Sequence, residues 1–254
     1  MRWAQQSLQN LCLENAEAIL QSEANDPLLS TTPWMHVVIA DQLYAVSIAD
    51  EQSKTNIAFL LGSHSLQQAA DSLHTLAPTG RANLIQLRLA QGKPDPADPK
   101  LLAYDQLWLE MNPEDLFGDG EQPGFQQRVT LWGDGRINLR RASADAATEA
   151  LRGALTRSET LALLQFIQND PEADPLILLE QMDLSGDQKA KAAELIAQES
   201  RCYSVTLRTE HAGGNPGWRF AVQCMIEHDD PEGSHRQTGS ENETMETRVW
   251  VQLW

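Results

Sequence analysis

A strand that runs into a polar turn and then an asparagine occurs twice in this chain, at residues 46–57 and 129–139. In each copy alternating apolar residues lead to a turn with a basic residue, followed by Asn56-Ile57 or by Asn138-Leu139. An asparagine after such a turn can hydrogen-bond nearby backbone groups and fix how the chain leaves a sheet. We therefore interpret both copies as structural turns rather than ligand sites.

The periodicity of the apolar residues predicts an α+β protein. Residues 3–24 have apolar side chains at three- and four-residue steps, which predicts one long N-terminal helix packed on a sheet. Alternating apolar residues predict strands at residues 34–40, 44–49, 129–132, 137–139, 203–207, 218–226 and 249–253. The short Asp41-Gln42 link predicts a hairpin between the first two strands, and the last three strands are expected to form an antiparallel meander.

Residues 143–200 form a block with a wholly helical pattern. Capping boxes begin at Thr156 and Ser185, and Asp174 precedes a proline at the first helical position. Four helices are predicted, at residues 145–154, 157–168, 175–181 and 186–199. The expected domain parts are residues 1–62, 63–127, 128–142, 143–200 and 201–254, with the helical block inserted into a helix-and-sheet body.

The charge and the cysteines limit the classes of partner and compartment. A formal net charge of −17 argues against a nucleic-acid backbone or an anionic membrane as the main partner. Cys202 and Cys224 lie on two predicted strands of one hairpin, so a disulfide is possible in an oxidising compartment, although simple burial is the favoured interpretation. No apolar stretch is long enough to cross a bilayer, and the first residues do not open a signal peptide.

Catalytic motifs find little support in the sequence, since the six histidines are scattered and no Gly-x-Ser-x-Gly motif occurs. Asp183 begins a partial match to a calcium-binding EF-hand loop, but Gln188 stands where glycine is needed and Ser185 already caps a helix. The acidic residues between the last two strands are the better calcium candidates, and a solvated acidic loop is the alternative. These candidates are Glu227, Asp229, Asp230 and Glu232.

The helical block also has the layout of paired helix-hairpin-helix modules that bind DNA, as in competence systems. Such modules use glycine-rich hairpins with basic flanks. Residues 170–187 contain acidic residues and no lysine or arginine. A DNA-binding protein is therefore the second hypothesis, and a related fold without DNA binding is compatible with the same pattern.

Taken in order, the motifs resemble the K-type minor pseudopilin of type II (general) secretion systems. That family has a strand with an Asp-Glu-x-x-Lys-x-Asn turn, matched here at residues 50–56. A later Gly-x-Gly-(Lys)-Ile-Asn turn is matched at residues 133–138, followed by Ala142-Ser143 and a helical block. A Ser-x-x-Tyr-x-Val strand is matched at residues 200–205, and an apolar-x-apolar-x-Trp ending at residues 251–254.

The resemblance implies a pilin-like fold, with a long N-terminal helix on an antiparallel sheet and an inserted small helical domain of the SAM-like or helix-hairpin-helix-like kind. It implies a non-enzymatic tip subunit of a periplasmic pseudopilus, bound to the I- and J-type minor pseudopilins and to inner-membrane secretion components. Trp3, Leu8, Leu11 and Ile19 are the predicted packing residues of the helix, and a sheet edge is expected to meet neighbouring subunits. Calcium, which some members hold, is a possible ligand.

The sequence departs from the family pattern in three respects. The cleavable leader and the membrane helix are missing, so we expect Met1 to mark a truncated or engineered start, with the full-length protein anchored at the periplasmic face of the inner membrane. The segment between the two turns is short. The second asparagine of each motif is replaced, by Phe59 or a neighbouring residue in the first copy and by Arg140 in the second.

Overall fold

A five-stranded antiparallel sheet organises the fold in the computed structural model, which describes residues 2–22, 31–63, 68–69, 71–72, 116, 124–209, 217–227 and 245–253. Its strands are β1 (Met35–Ile39), β2 (Gln42–Asp50), β5 (Cys202–Thr209), β6 (Gly217–Glu227) and β7 (Met245–Leu253), in the order β1-β2-β5-β6-β7. Two further short strands, β3 (Thr55–Asn56) and β4 (Val129–Thr130), pair in parallel. The predicted hairpin and the C-terminal meander are both present.

One face of this sheet is covered by two N-terminal helices, α1 (Arg2–Glu14) and α2 (Ala16–Ser22). The single helix predicted over residues 3–24 is wrong, because the chain is interrupted at Asn15. The side-chain Nδ2 of Asn15 donates to the Leu11 carbonyl oxygen at 2.8 Å, and such local bonding competes with the regular helical pattern. The buried residues between helices and sheet form one core: Leu8, Cys12, Leu13, Ala16, Leu20, Tyr44, Val46, Ile48, Tyr203, Val205, Leu207 and Ala221.

The opposite face of the sheet is covered by residues that lie between the two signature turns. Helix α3 (Ile57–Ser63) and the 3₁₀ turn at Phe125–Gln127 contribute to a second core against β5 and β6. This core contains Leu60, Leu61, Ala69, Leu116, Phe125, Trp132, Phe220 and Val222. The segment predicted as a connecting region therefore supplies part of the hydrophobic core of the sheet.

The helical block has a core of its own. Its helices are α4 (Ala144–Ala150), α5 (Arg157–Asn169), α6 (Pro175–Gln181) and α7 (Gly186–Leu195). Both capping boxes are confirmed, at Thr156 and Ser185, and the side chain of Asp174 accepts from the Leu176 backbone N–H. Sequence reasoning was right about the helix starts because the caps are local features.

Two further expectations differ from the structure. Cys202 and Cys224 face each other across β5 and β6 and form a disulfide, although burial without a bond was the favoured interpretation. Residues 137–139 do not form a ladder strand, because Ile137 makes only one isolated parallel bridge, to Ile196. Among the described residues, no helix is both long and apolar enough to cross a bilayer.

Candidate functional site

The two signature turns lie in direct contact with each other. The Asn138 backbone N–H donates to the Gln52 carbonyl oxygen at 2.7 Å, and Gln52 Nε2 donates to Asp134 Oδ1 at 2.9 Å. Asn56 Nδ2 donates to the Trp132 carbonyl oxygen at 3.0 Å. Each copy of the motif therefore stabilises the other, across more than 70 residues of sequence.

Both asparagines act as the sequence predicted, by fixing the backbone that follows them. Asn56 Oδ1 accepts from the Phe59 N–H at 3.0 Å, at the start of α3. Asn138 Oδ1 accepts from the Arg140 N–H at 3.1 Å, where the chain leaves for the helical block. The interpretation of the motifs as structural turns is consistent with these contacts.

Gly135 is required where the second turn packs against α3. Its φ is +85°, and a Cβ at this position would lie 2.9 Å from Phe59 Cδ2. Any larger residue would combine an unfavourable backbone conformation with a steric overlap. The turn therefore needs glycine here for close packing, and not for approach to a phosphate.

A fully buried carboxylate, Asp50, lies at the centre of this junction. Its Oδ1 accepts from the Gln52 N–H at 2.9 Å. Its Oδ2 accepts from Asn138 Nδ2 at 2.9 Å and from the Ser200 hydroxyl, and it lies 3.5 Å from Arg141 Nη1. Burial raises the pKa of Asp50, although its hydrogen bonds and the Arg141 charge act in the opposite direction.

Arg141 connects this carboxylate to the N-terminal helices. Its two terminal nitrogens donate to the two carboxylate oxygens of Glu17 on α2, at 3.3 and 3.2 Å. Tyr203 on β5 also donates to Glu17. Partial burial raises the pKa of Glu17, but the hydrogen bonds from Tyr203 and Arg141 together with the Arg141 charge outweigh it and lower the pKa overall.

A second buried ion pair lies on the other side of the same turn. Lys54 Nζ lies 2.5 Å from Glu51 Oε1, and both side chains are almost entirely inaccessible to solvent. The Ser204 hydroxyl donates to the same Glu51 oxygen. Removing either charge would leave its partner buried without compensation, so this pair makes the turn intolerant of substitution.

A cleft of about 720 Å³ opens beside the junction, between α2, the sheet and the helical block. Its lining includes Glu17, Arg140, Arg141, Glu172 and Tyr203. Among the described residues that line it, there is no histidine and no cysteine, so no nucleophile lies beside a histidine base there. In the part of the chain that the structure describes, no three metal-ligating side chains cluster either.

The predicted packing residues of the N-terminal helix fall into two groups. Leu8 is buried in the core, and Ile19 packs against that core while partly buried. Trp3 and Leu11 are 78% and 60% exposed, so they point away from the sheet and are accessible to another molecule. Their contact with partner subunits stays a prediction.

The predicted calcium ligands lie almost wholly outside the described residues. Glu227 is the last residue of β6, and only its backbone is described. Asp229, Asp230 and Glu232 fall outside. Calcium binding by these four residues therefore stays a prediction. The partial EF-hand match at Asp183 instead coincides with a helix start, since Ser185 caps α7.

The second hypothesis, DNA binding by the helical block, gains no support from its helix starts. One N–H group in the first turn of each helix, that of Glu159 in α5 and that of Gln188 in α7, donates to the side chain of Thr156 or Ser185. In return, the side chains of Glu159 and Gln188 accept from the backbone N–H groups of Thr156 and Ser185. Backbone N–H groups that already have internal partners are poor phosphate donors.

Sequence reasoning missed Arg141 and its partner Glu17. One signal was present in the sequence. Two consecutive arginines, Arg140 and Arg141, come shortly after Asn138 in a chain with 36 acidic and 19 basic residues. Nothing in the sequence indicates that Glu17, 124 positions away, supplies the carboxylate. That contact follows from how α2 lies on the sheet.

Comparison with known proteins gives a match among the solved structures. The chain matches no protein-family model and no curated protein sequence. It is similar to a chain in the crystal structure of the GspK-GspI-GspJ complex from the enterotoxigenic Escherichia coli type 2 secretion system. The two chains are 16% identical with a TM-score of 0.42, and the match covers 100% of this chain and 98% of that chain.

Proposed function

We propose that this chain is the periplasmic part of a K-type minor pseudopilin, a non-enzymatic subunit at the tip of a type II secretion pseudopilus. The observation that carries the proposal is the contact between the two signature turns. This contact holds the helical block onto the sheet. The two N-terminal helices pack on one face of the same sheet. The two segments that resemble motifs of the K-type family are therefore in contact with each other and act together in the fold.

We propose the following correspondence with the family architecture. The helices α1 and α2 with the five-stranded sheet form a pilin-like body. The four helices of residues 144–195 form the inserted small domain of the SAM-like kind. In the full-length protein, a membrane helix preceding α1 would anchor this body at the periplasmic face of the inner membrane, near other secretion components.

The disulfide supports a location outside the cytosol. Cys202 and Cys224 are 1% and 2% exposed and are bonded between two central strands. Structural disulfides form and persist in oxidising compartments such as the bacterial periplasm. A buried bond of this kind is expected in a periplasmic subunit and is unusual in a cytosolic one.

The outer face of α1 is the proposed contact surface for the I- and J-type subunits. Trp3 and Leu11 are large apolar side chains that stand mostly in solvent. Tryptophan is enriched among interface residues that contribute most of the binding energy. Leu8, buried on α1, holds this helix on the sheet, and Ile19, partly buried on α2, packs against the same core, so that together they position this surface.

Co-elution of the full chain with the I- and J-type subunits from the same gene cluster tests the proposal. Size-exclusion chromatography with light scattering should detect one complex that contains all three proteins. The double variant Trp3→Ala with Leu11→Ala should weaken the complex by at least about tenfold, because truncating interface anchors commonly costs more than 1 kcal/mol.

A control variant shows whether the loss of binding is specific to the α1 surface or follows from removing any exposed apolar side chain. Phe166 on the helical block is 47% exposed, and Phe166→Ala should leave the affinity unchanged. Elution of the wild-type chain alone, at concentrations where I and J associate, would count against the proposed function. Equal loss of binding in both variants would count against α1 as the specific contact.

A further inference from the structure

We propose that the outer edge of β1 receives an extended strand from a different protein, which adds to the sheet as a sixth strand. Addition of a strand to an open edge is a common mode of protein recognition, since backbone hydrogen bonds supply affinity and alternate side chains supply specificity. The inference rests on the proposed function in one respect, because that function requires partner subunits in a fibre.

Strand β1 is one of the two edge strands of the five-stranded sheet. Within the described residues it pairs with β2 alone, in the register Met35↔Val46 to Ile39↔Gln42. Its opposite edge therefore carries backbone N–H and C=O groups without a strand partner in the part of the chain that the structure describes. Unpaired groups of this kind are a template for pairing with another chain.

The hairpin geometry identifies which backbone groups face outward. Ala40 and Asp41 form a two-residue turn with φ values of 50° and 61°, so Ile39 and Gln42 close the turn as a hydrogen-bonded pair. Hydrogen-bonded and non-hydrogen-bonded pairs alternate along an antiparallel ladder. The N–H and C=O groups of His36 and Val38 therefore point away from β2, toward an incoming strand.

The sequence of β1 lacks the residue types that usually prevent unwanted pairing at an edge. Natural edge strands are blunted by lysine, proline, other charges or bulges. The five residues of β1, Met-His-Val-Val-Ile, include no proline and no lysine, arginine or acidic residue. The other edge strand, β7, contains Glu246 and Arg248. An uncharged edge in such an acidic chain is consistent with a surface that a partner covers.

The exposure pattern describes the strand that would fit. His36 and Val38 are exposed, and Val38 retains 67% of its accessible surface. Met35, Val37 and Ile39 face the helix layer and are partly buried. An incoming strand would place alternate apolar side chains beside this second row, because neighbouring strands share side-chain faces.

Net charge favours a different protein over a second copy as the occupant. Each copy carries a formal net charge of −17, so two copies repel each other at long range. The expected partner strand is apolar at alternate positions and belongs to a protein that is neutral or less acidic. Within the proposed fibre, this is a strand of an adjacent subunit.

Site-specific photo-crosslinking in cells that carry the cognate secretion genes tests the inference. A benzophenone amino acid at position 38 should crosslink the full-length protein to one other pseudopilin. The same probe at position 161, a 38% exposed leucine on the helical block, is the control and should give no such product. A probe at position 11 reports on the α1 surface independently.

The pattern of products separates the two proposals. Crosslinking at position 11 but not at position 38 would overturn the edge inference and leave the proposed function in place. Crosslinking at position 38 to another copy of this chain would overturn the choice of partner. The absence of pseudopilin products at both positions would overturn both proposals.

A proline substitution tests the backbone contact itself. Val38→Pro removes one outward N–H and leaves the β1–β2 ladder intact, whereas Val38→Thr retains it. Val38→Pro should weaken the complex with the crosslinked subunit by at least about fivefold, and Val38→Thr should leave it within about twofold. Equal binding by both variants would overturn the inference. If circular dichroism shows that the proline variant is unfolded, Val38→Lys, which places a charge at the edge, should give the same loss.

Discussion

Arg141 is the residue at which three parts of the chain meet. It contacts Glu17 from α2, Asp50 from β2 and, through Glu17, Tyr203 from β5. It also lies only three positions after Asn138, where the chain departs for the helical block. One guanidinium therefore ties the N-terminal helices, the sheet and the entry to the helical block together.

Replacement of Arg141 by methionine should lower the free energy of unfolding by about 3–5 kcal/mol, because Asp50 would remain buried without its cation. Urea unfolding followed by circular dichroism measures this loss. Arg136→Met is the matched control, since Arg136 is 52% exposed and its contact with Asp134 is long, at 3.7 Å. The control should change stability by less than about 0.5 kcal/mol, and equal losses would contradict the role given to Arg141.

The lowered pKa of Glu17 predicts an acid-dependent contribution to stability. A carboxyl whose folded pKa lies below its ordinary value of 4.5 stabilises the fold above that pH, and the contribution disappears as pH falls through the folded value. Glu17→Gln should therefore be less stable than the wild type at pH 7. The difference should shrink steadily below about pH 4.5 in urea titrations at several pH values.

The source of the Glu17 effect can be isolated with a second background. In a chain that already carries Arg141→Met, the pH-dependent change in stability caused by Glu17→Gln should be reduced. The reason is that the guanidinium of Arg141, which pairs with this carboxylate, is gone. A change that keeps its full size in that background would assign the effect to Tyr203 and Gln21 instead.

At the level of elements, the turn of the β1–β2 hairpin contains a residue with an unfavourable backbone conformation, which glycine would relieve. Ala40 has a φ of 50°, a left-handed conformation that disfavours residues with a Cβ. Ala40→Gly should raise the free energy of unfolding by about 0.5–1 kcal/mol, measured by thermal and urea unfolding. Ala162→Gly within α5 should have the opposite sign and lower it by about 1 kcal/mol. A loss of stability in both variants would contradict the turn geometry.

Elements with local causes could be predicted from the sequence, and those with distant causes could not. The caps at Thr156, Asp174 and Ser185 marked helix starts because each cap acts within three residues. The interruption at Asn15 was missed because apolar periodicity continues across it. Ile137 was expected in a strand, but its backbone hydrogen bonds go to Leu195 and Ala197 at the end of α7.

The same distinction applies to the candidate site. The two asparagines could be given a local role because they bond to backbone groups that follow them closely. Their pairing with each other's turns, and the Arg141–Glu17 contact, depend on the tertiary fold. The disulfide also required the strand register, since Cys202 opposes Cys224 only in the pairing that β5 and β6 adopt.

For the whole molecule, the disulfide links redox state to stability. Reductant should lower the free energy of unfolding of the wild-type chain by about 2–4 kcal/mol. The double variant Cys202→Ala with Cys224→Ala should show the lower stability with or without reductant. Cys12→Ala is the control, because Cys12 is a free thiol in the core on the opposite sheet face and its removal should leave the reductant effect unchanged. A wild-type chain that is insensitive to reductant at high denaturant would contradict the bond.

The arrangement as a whole gives each sheet face a different covering. The N-terminal helices cover one face, and residues between the two turns cover the other. The helical block then joins at the rim of the sheet through Asn138, Arg141 and Ser200. The surfaces proposed for partners are the outer side of α1, which packs on one face of this sheet, and the outer edge of β1, which pairs with β2.

Deletion of the gene from its own host, followed by measurement of secreted substrate in the culture medium, tests the proposed role most directly. Secretion should fall to background while the substrate accumulates in the periplasm. The same gene supplied on a plasmid should restore secretion. Unchanged secretion in the deletion strain would contradict the assignment to the pseudopilus.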